Sequence, residues 1–225
     1  MITPFDWQEG IGNRAQYIEG KLRHGSPVVA VSLDAGILVY TRRRQSRKIY
    51  EVYDRLVFSA IGQQSDVESL RSAAVEFAHQ EGYNRSEQDV TIQRVVTAIS
   101  TPVKRAFADF STAPLVARSL FAEVADNIQG DQFYVLDYDG DYHTMQGGAI
   151  VSGVSKEHPD AEKLLAEIDQ KSEPERAITH LADIWASVVK VDDDEEDISD
   201  ERLPEGLLVE RSTVREDRFR AILLG

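Results

Sequence analysis

Residues 26–62 read SPVVAVSLDAGILVYTRRRQSRKIYEVYDRLVFSAIG, and this stretch decides the fold. Two apolar segments, Val28–Leu33 and Ile37–Tyr40, flank the turn dipeptide Ala35-Gly36, which predicts a β-hairpin. A third and a fourth strand are predicted at Lys48–Tyr53 and Leu56–Ile61. This stretch is therefore predicted to form four strands, and a basic side chain, Lys48, stands at the entry of the third.

Helical and extended patterns alternate through the rest of the chain. Helices are predicted at Asn13–His24, Asp66–Gln80, Thr91–Phe107, Asp160–Gln170 and Pro174–Val191, with Asn13 as N-cap of the first, Gly82 ending the second and a break or kink at Pro102 in the third. Strands are predicted at Leu115–Ala125, Phe133–Asp137, Thr144–Val151, Gly206–Thr213 and Phe219–Leu224, with a turn at residues 137–141. Two amphipathic helix pairs can cover the outer faces of two sheets, so the order predicts an α+β fold, a four-layer α–β–β–α sandwich.

Composition limits the classes of function. The chain has 225 residues and a net charge of −14, which disfavours binding to nucleic acid because phosphate backbones are repelled. There are no cysteines, so disulfides and thiolate metal sites are excluded. The five histidines are scattered, and we predict neither a metal nor a cofactor. No apolar run approaches the roughly 20 residues of a membrane span, and no secretory signal is evident, so a cytoplasmic location is expected.

A run of acidic residues, Asp192–Asp197, is followed by Asp200 and Glu201. Calcium loops space their ligands around a glycine turn, and that pattern is absent from this run. We interpret it as a solvated loop.

Ser26 is the one candidate nucleophile by position. It starts a strand directly after Gly25, and a serine exposed there by processing could use its own amine as base, with Lys48 close in space. However, Pro27 follows it, and the second strand ends Tyr40-Thr-Arg-Arg-Arg44 without an acidic residue. A structural role for Ser26 is the favoured interpretation.

Lys48 belongs to a local cluster of positive charge on an otherwise acidic chain. It follows Arg42, Arg43, Arg44 and Arg47. A lysine at a strand entry is most often solvated and without consequence. A concentrated cationic spot also suits the capture of a carboxylate, such as the C-terminus of another protein.

Several segments, in order, resemble proteasome α subunits, most closely the actinobacterial type. Residues 48–55, KIYEVYDR, resemble the family's Lys-(Ile/Val)-x-Glu-Leu-Tyr-Asp-Arg, and residues 58–62, FSAIG, resemble Phe-Ala-Ala-x-Gly. Residues 84–91, 120–124 and 136–140 resemble Tyr-Asp-Arg-Arg-Asp-Val-Thr, Cys-Val-Ala-Glu-Val and Ile-Thr-Tyr-Asp-Gly, in that order. The resemblance covers residues 13 to 190, and it implies the N-terminal-nucleophile hydrolase sandwich.

The resemblance implies a non-catalytic subunit of the 20S proteasome core. Such α subunits form outer homo-heptameric rings, whereas β subunits inside carry the active-site threonine. Carried over by position, Lys48 lies in a pocket between adjacent α subunits and pairs with the C-terminal carboxylate of a tail of an ATPase or other ring activator. Gly25 and Gly62 match glycines near that pocket, and Gln63 is a candidate lining residue. Glycines would let a tail approach the backbone closely, and seven pockets would give avidity.

The resemblance divides the chain into an N-terminal gate segment, residues 1–12, and the proteasome α-type domain, residues 13–225. Pro4, Gly10 and Gly12 are turn formers, which suits a mobile segment. Neither the Tyr-Asp-Arg of archaeal gates nor a Ser-Pro turn occurs there, and Phe5, Asp6 and Trp7 are the candidate gate residues. The alternative interpretation is an autoprocessed hydrolase of the same fold that uses Ser26, or a self-assembling proteasome homologue.

Overall fold

Two antiparallel sheets carry the fold, and helices lie on the outer face of each. The structure is a computed structural model that describes residues 4–155, 158–192, 202–212 and 217–224. In chain order the elements are α1 (Pro4–Leu22), β1 (Val28–Leu33), β2 (Gly36–Arg43), β3 (Ile49–Tyr53), β4 (Leu56–Gly62), α2 (Gln64–Asn84), α3 (Ile92–Ala108), β5 (Ala117–Glu123), β6 (Gln132–Leu136), β7 (Tyr142–Met145), β8 (Gly148–Val151), α4 (Pro159–Ala166), α5 (Pro174–Asp192), β9 (Leu203–Glu210) and β10 (Phe219–Ile222).

Each sheet has five described strands. The first sheet has the strand order β10-β9-β2-β1-β8, and the second has β3-β4-β5-β6-β7. The predicted hairpin forms β1 and β2, with Leu33 paired to Gly36. Every residue of β1 is buried, because its alternate side chains face the sheet interface and the helices. The first four strands are therefore shared between the sheets, two in each.

The four-layer α–β–β–α prediction is confirmed. Between the sheets lies a core that includes Val28 and Val39 of the first sheet and Val57 and Phe133 of the second. Helices α2 and α3 cover the outer face of the second sheet. Helices α4 and α5 cover the outer face of the first. In α3 the apolar side chains at helical spacing are all buried: Ile92, Val95, Val96, Ile99 and Val103.

Glycines account for three differences from the predicted elements. Helix α1 begins at Pro4, not Asn13, and Gly10, predicted as a turn former, lies within it, where an added Cβ would approach the Phe110 ring to 2.9 Å. Helix α2 runs through Gly82, whose missing side chain admits Tyr53. The segment predicted as one strand, Thr144–Val151, is two, because Gly147 at φ 72° turns the chain from the second sheet into the first.

Other boundaries differ by a few residues. Helix α3 continues through Pro102 without interruption of the element. Helix α4 ends at Ala166, earlier than the predicted Gln170. Helix α5 ends at Asp192, the first residue of the acidic run, and residues 193–201 lie outside the described residues.

A buried ion pair joins the two sheets at one end of the sandwich. Arg211, directly after β9, donates to Asp131 through Nη1–Oδ1 at 2.7 Å and Nη2–Oδ2 at 2.8 Å. The same guanidinium donates to the carbonyl oxygens of Ala125 at 2.6 Å and Leu33 at 2.9 Å. The Asp131 side chain is 0% exposed, so its charge depends on this partner.

Replacing Arg211 with alanine should lower the free energy of unfolding by about 3–5 kcal/mol, because it leaves the Asp131 carboxylate buried without its partner. Urea denaturation at neutral pH and fixed protein concentration measures this loss. Lys163→Ala is the control, since its pair with Glu167 spans 3.9 Å on the exposed surface of α4. The control should change stability by no more than about 0.5 kcal/mol. A loss below about 1 kcal/mol for Arg211→Ala would contradict the prediction.

Candidate functional site

A groove of about 1110 Å³ lies where the end of α1, the β2–β3 loop and the start of α2 meet. The β2–β3 loop is short, because β2 ends at Arg43 and β3 begins at Ile49. Among the described residues, charged side chains of both signs line it: six basic ones and the carboxylate of Glu68. The basic ones are Arg42, Arg43, Arg44, Arg47, Lys48 and Arg202. A net-acidic chain thus concentrates positive charge in one concave surface.

Lys48 is fixed in this groove by contacts of both its backbone and its side chain. The Glu205 carboxylate of β9 accepts from the backbone N–H of Lys48 at 3.0 Å and from that of Ile49 at 3.2 Å. The Ser59 hydroxyl donates to the Lys48 carbonyl at 2.8 Å. The Lys48 Nζ donates to the carbonyl oxygen of Ser26 at 2.5 Å. The amine is therefore held against the junction between α1 and β1.

Burial lowers the pKa of Lys48 from 10.5 to about 7. The positive charge of Arg202 contributes to this shift, and the negative charge of Glu205 opposes it. Because the unfolded chain binds this proton more tightly, Lys48 opposes folding increasingly as pH falls from 10.5 to about 7. Near neutral pH the amine is poised between its two states, so an added carboxylate would draw it towards the charged form.

Three of the four predicted site residues line the groove, and the fourth adjoins it. Gly25 and Gly62 line it together with Lys48. Gly62 has φ 143°, and a side chain there would collide with the Val116 carbonyl. Gln63 precedes α2, its N–H donates to the Val116 carbonyl at 2.9 Å, and its neighbour Gln64 contributes to the groove wall.

Ser26 is buried, with 9% of its surface exposed. Its hydroxyl lies 3.5 Å from the Thr41 hydroxyl, while Lys48 contacts its carbonyl oxygen. Helix α1 leads into this residue through a turn in which the Gly25 N–H donates to the Leu22 carbonyl at 2.7 Å. The lysine therefore approaches Ser26, as predicted, but it contacts the backbone rather than the hydroxyl.

The three candidate gate residues, Phe5, Asp6 and Trp7, lie in the first turns of α1. The Trp7 ring packs edge-on against Phe110, with ring centroids 4.9 Å apart. The Arg14 guanidinium lies over the Phe110 ring, at 5.4 Å from its centroid. Trp7 remains 44% exposed, so this end of the helix presents an aromatic surface.

Sequence reasoning missed the residues that arrive from distant parts of the chain. Glu205 lies 157 positions from Lys48, and β2–β9 pairing places it opposite Thr41. Arg202 lines the groove from just before β9, and Trp185 donates from Nε1 to the Pro27 carbonyl at 2.9 Å. The strand predicted at Gly206–Thr213 begins three residues later than β9 and so excludes Glu205. A prediction that began at Leu203 would have included Glu205 in the strand.

Comparison with known proteins places this geometry in a family. The family model described as Proteasome subunit matches residues 22–199. The chain belongs to the proteasome subunit family. The matched residues contain the second sheet, strands β1, β2 and β8 of the first sheet, Lys48 and the two groove glycines. The resemblance inferred from the segments between residues 48 and 140 is therefore confirmed.

Individual relatives carry the name Proteasome subunit alpha. The protein from Xylanimonas cellulosilytica is 32% identical over 161 residues, which cover 70% of this chain and 66% of the relative. The protein from Streptomyces scabiei is 26% identical over 99% of this chain and 90% of the relative. The protein from Streptomyces coelicolor is 27% identical over 100% of this chain and 88% of the relative. The similarity to actinobacterial proteasome α subunits thus extends over the whole chain.

Two searches of the described residues bear on other kinds of site. Within residues 4–155, 158–192, 202–212 and 217–224, no three His, Asp or Glu side chains are grouped as a metal would require. Over the same ranges, no helix has the length and apolar character needed to cross a membrane.

The Lys48 amine should titrate near pH 7, and two substitutions should move its pKa in opposite directions. Glu205→Gln removes a negative charge and lowers the pKa, whereas Arg202→Gln removes a positive charge and raises it. The rate of acetylation of Lys48 as a function of pH, read by peptide mass spectrometry, measures both shifts. The exposed Lys163 is the internal reference for the reagent. A midpoint near 10.5 in the unsubstituted protein would contradict the prediction.

Proposed function

We propose that this chain is a non-catalytic α-type subunit of a 20S proteasome core particle. It forms outer heptameric rings, gates substrate entry and docks the C-terminal tails of an ATPase or other ring activator, while β subunits cleave the peptides. One observation carries the proposal. Helix α1 leads through a short turn into β1, and at this junction Ser26 is buried and Lys48 contacts its carbonyl rather than its hydroxyl. A leading helix occupies the place where a catalytic subunit would expose its nucleophile.

The groove has the chemistry that tail docking needs. A terminal carboxylate reaching Lys48 would gain a charge-assisted hydrogen bond in a partly desolvated place. Gly25 and Gly62 let the wall of the groove pack tightly, because a side chain there would meet the Leu22 or the Val116 carbonyl. Gln63, at the start of α2, offers an amide at the edge. Seven such grooves in one ring would convert weak single contacts into strong binding.

Residues 1–12 are proposed to form the gate. Phe5, Asp6 and Trp7 would stand near the entry, and the Trp7–Phe110 contact would hold this part of α1 in one arrangement. Gate opening would then require movement of α1 at this contact, and the remainder, residues 13–225, forms the body of the ring. A cytoplasmic location accords with this assignment.

The alternatives make different predictions about the mature chain. An autoprocessed hydrolase that uses Ser26 would lose residues 1–25 and would cleave peptides without a partner. A self-assembling proteasome homologue would form particles without β subunits. Intact mass and peptide hydrolysis of the purified chain distinguish these from an α subunit, for which we expect the full length and no hydrolysis.

Co-expression with a β subunit that bears an N-terminal threonine should give a stacked-ring particle. In that particle Lys48→Met should abolish stimulation of peptide hydrolysis by the activator, because the stem remains but the charge is lost. Native mass spectrometry should find the rings intact, and the thermal midpoint should not fall, since the substitution also removes a costly buried amine. Unchanged stimulation in Lys48→Met would remove this residue from the docking role.

Docking should weaken as pH rises above about 7, the pKa of Lys48. A bound carboxylate raises that pKa, so the complex holds more protons than the free groove and affinity falls by up to roughly tenfold per pH unit. Activator titrations between about pH 6.5 and about pH 8.5 measure this dependence. Lys48→Arg is the control, because arginine stays charged and its profile should be flat. A flat profile in the unsubstituted particle would refute the prediction.

A further inference from the structure

Two arginines of the groove, Arg44 and Arg47, differ from Arg42 and Arg43 in their contacts. Arg42 stacks on Trp185 at 5.2 Å from the ring centroid. Arg43 donates to the Gln45 carbonyl at 2.7 Å and lies 3.7 Å from a Glu205 carboxylate oxygen. Arg44 and Arg47, in contrast, are exposed, and in the described part of the chain neither guanidinium has a hydrogen bond or an ion pair.

The loop that carries these two arginines is held in place by neighbouring elements. The Gln64 amide of α2 donates to the Ser46 hydroxyl at 2.9 Å. The Tyr50 hydroxyl donates to the carbonyl of Arg47. The backbone is therefore fixed while the two charges stay available, an arrangement that lowers the cost of binding a charged partner.

Spacing relates the two arginines to Lys48. Arg44 and Lys48 are four residues apart, so their Cα atoms are separated by at most about 14 Å. A peptide of four or five residues in extended form spans the same distance. A tail with its carboxylate at Lys48 would therefore bring the side chains just before its terminus within reach of Arg44 and Arg47. The lining carboxylate of Glu68 is engaged by Arg71 and does not neutralise them.

We propose, on the basis of the docking function above, that Arg44 and Arg47 select activator tails with acidic side chains. The partner is a C-terminal peptide that carries one or two Asp or Glu residues within about five positions of its free carboxylate. Lys48 binds the terminus, and the two arginines bind the acidic side chains. Charge complementarity favours this occupant over a neutral or basic tail.

The test uses the assembled particle and four synthetic peptides on one Gly/Ser host sequence. Three have a free C-terminus and differ only in two residues before it, which are glutamates, glutamines or lysines. The fourth is the glutamate peptide with an amidated C-terminus. The glutamate acid should bind roughly three- to tenfold more tightly than the glutamine acid, and the lysine acid more weakly than either. Raising salt from about 50 to about 300 mM should shrink the difference.

Arg44→Gln with Arg47→Gln should make the glutamate and glutamine acids bind equally while the affinity of the glutamine acid stays unchanged. Lys163→Gln with Lys171→Gln is the control, since it makes the same change in net charge on the exposed surface away from the groove. Equal binding of the two acids to the unsubstituted particle would overturn the proposal. Loss of the ring in the arginine double variant would do so too, because it would assign these charges to a neighbouring subunit.

The fourth peptide separates this proposal from the docking function itself. If the free acid and the amide bind alike, and Lys48→Met changes neither, tail docking at Lys48 fails as a whole. If the acid binds better than the amide but acidic and neutral tails do not differ, docking stands and selection by Arg44 and Arg47 is refuted.

Discussion

The hydrogen bonds that the Glu205 carboxylate accepts from the backbone N–H groups of Lys48 and Ile49 hold the rest of the site together. Glu205 lies on the first sheet, and β3 belongs to the second, so one carboxylate joins the layers where the groove opens. Without this contact the start of β3 would lack partners for two backbone N–H groups. The same charge supports the ammonium form of Lys48, so one side chain sets both the position and the protonation of the amine.

The site is a compromise between stability and readiness to bind. Desolvation of Lys48 opposes folding, and its one described acceptor, the Ser26 carbonyl, is neutral. If Lys48 were paired with a carboxylate of the protein, the folded state would be more stable, but a ligand carboxylate would have to compete with that partner. The Arg211–Asp131 pair shows the contrasting arrangement, in which two buried charges satisfy each other and nothing is left for a ligand. The sandwich therefore has one buried charge whose partner is a charge, Arg211, and one buried amine, Lys48, whose described acceptor is a neutral carbonyl.

Local patterns sufficed for the sheets and the outer helices, because apolar periodicity over residues 28–61 and 92–103 reflects burial directly. The grouping of Gly25, Lys48 and Gly62 in one groove was predicted from the resemblance to a family, not from local patterns. Glu205 and Arg202 were out of reach, since β2–β9 pairing joins residues more than 150 positions apart. The predicted start of α1 and end of α2 were wrong because Gly10 and Gly82 were taken as helix breakers. Both lie within helices, where they pack closely against Phe110 and Tyr53.

Charge distribution links the fold to the function proposed for it. A chain of net charge −14 repels acidic segments over most of its surface. Six basic side chains gathered in one groove create a local field of the opposite sign, which concave low-dielectric walls focus. In the proposed docking function, an anionic tail would be repelled by the rest of the surface and attracted to this groove, so both charge distributions would contribute to selectivity. The field decays over about 8 Å at physiological salt, so it acts on the part of a tail that lies within the groove.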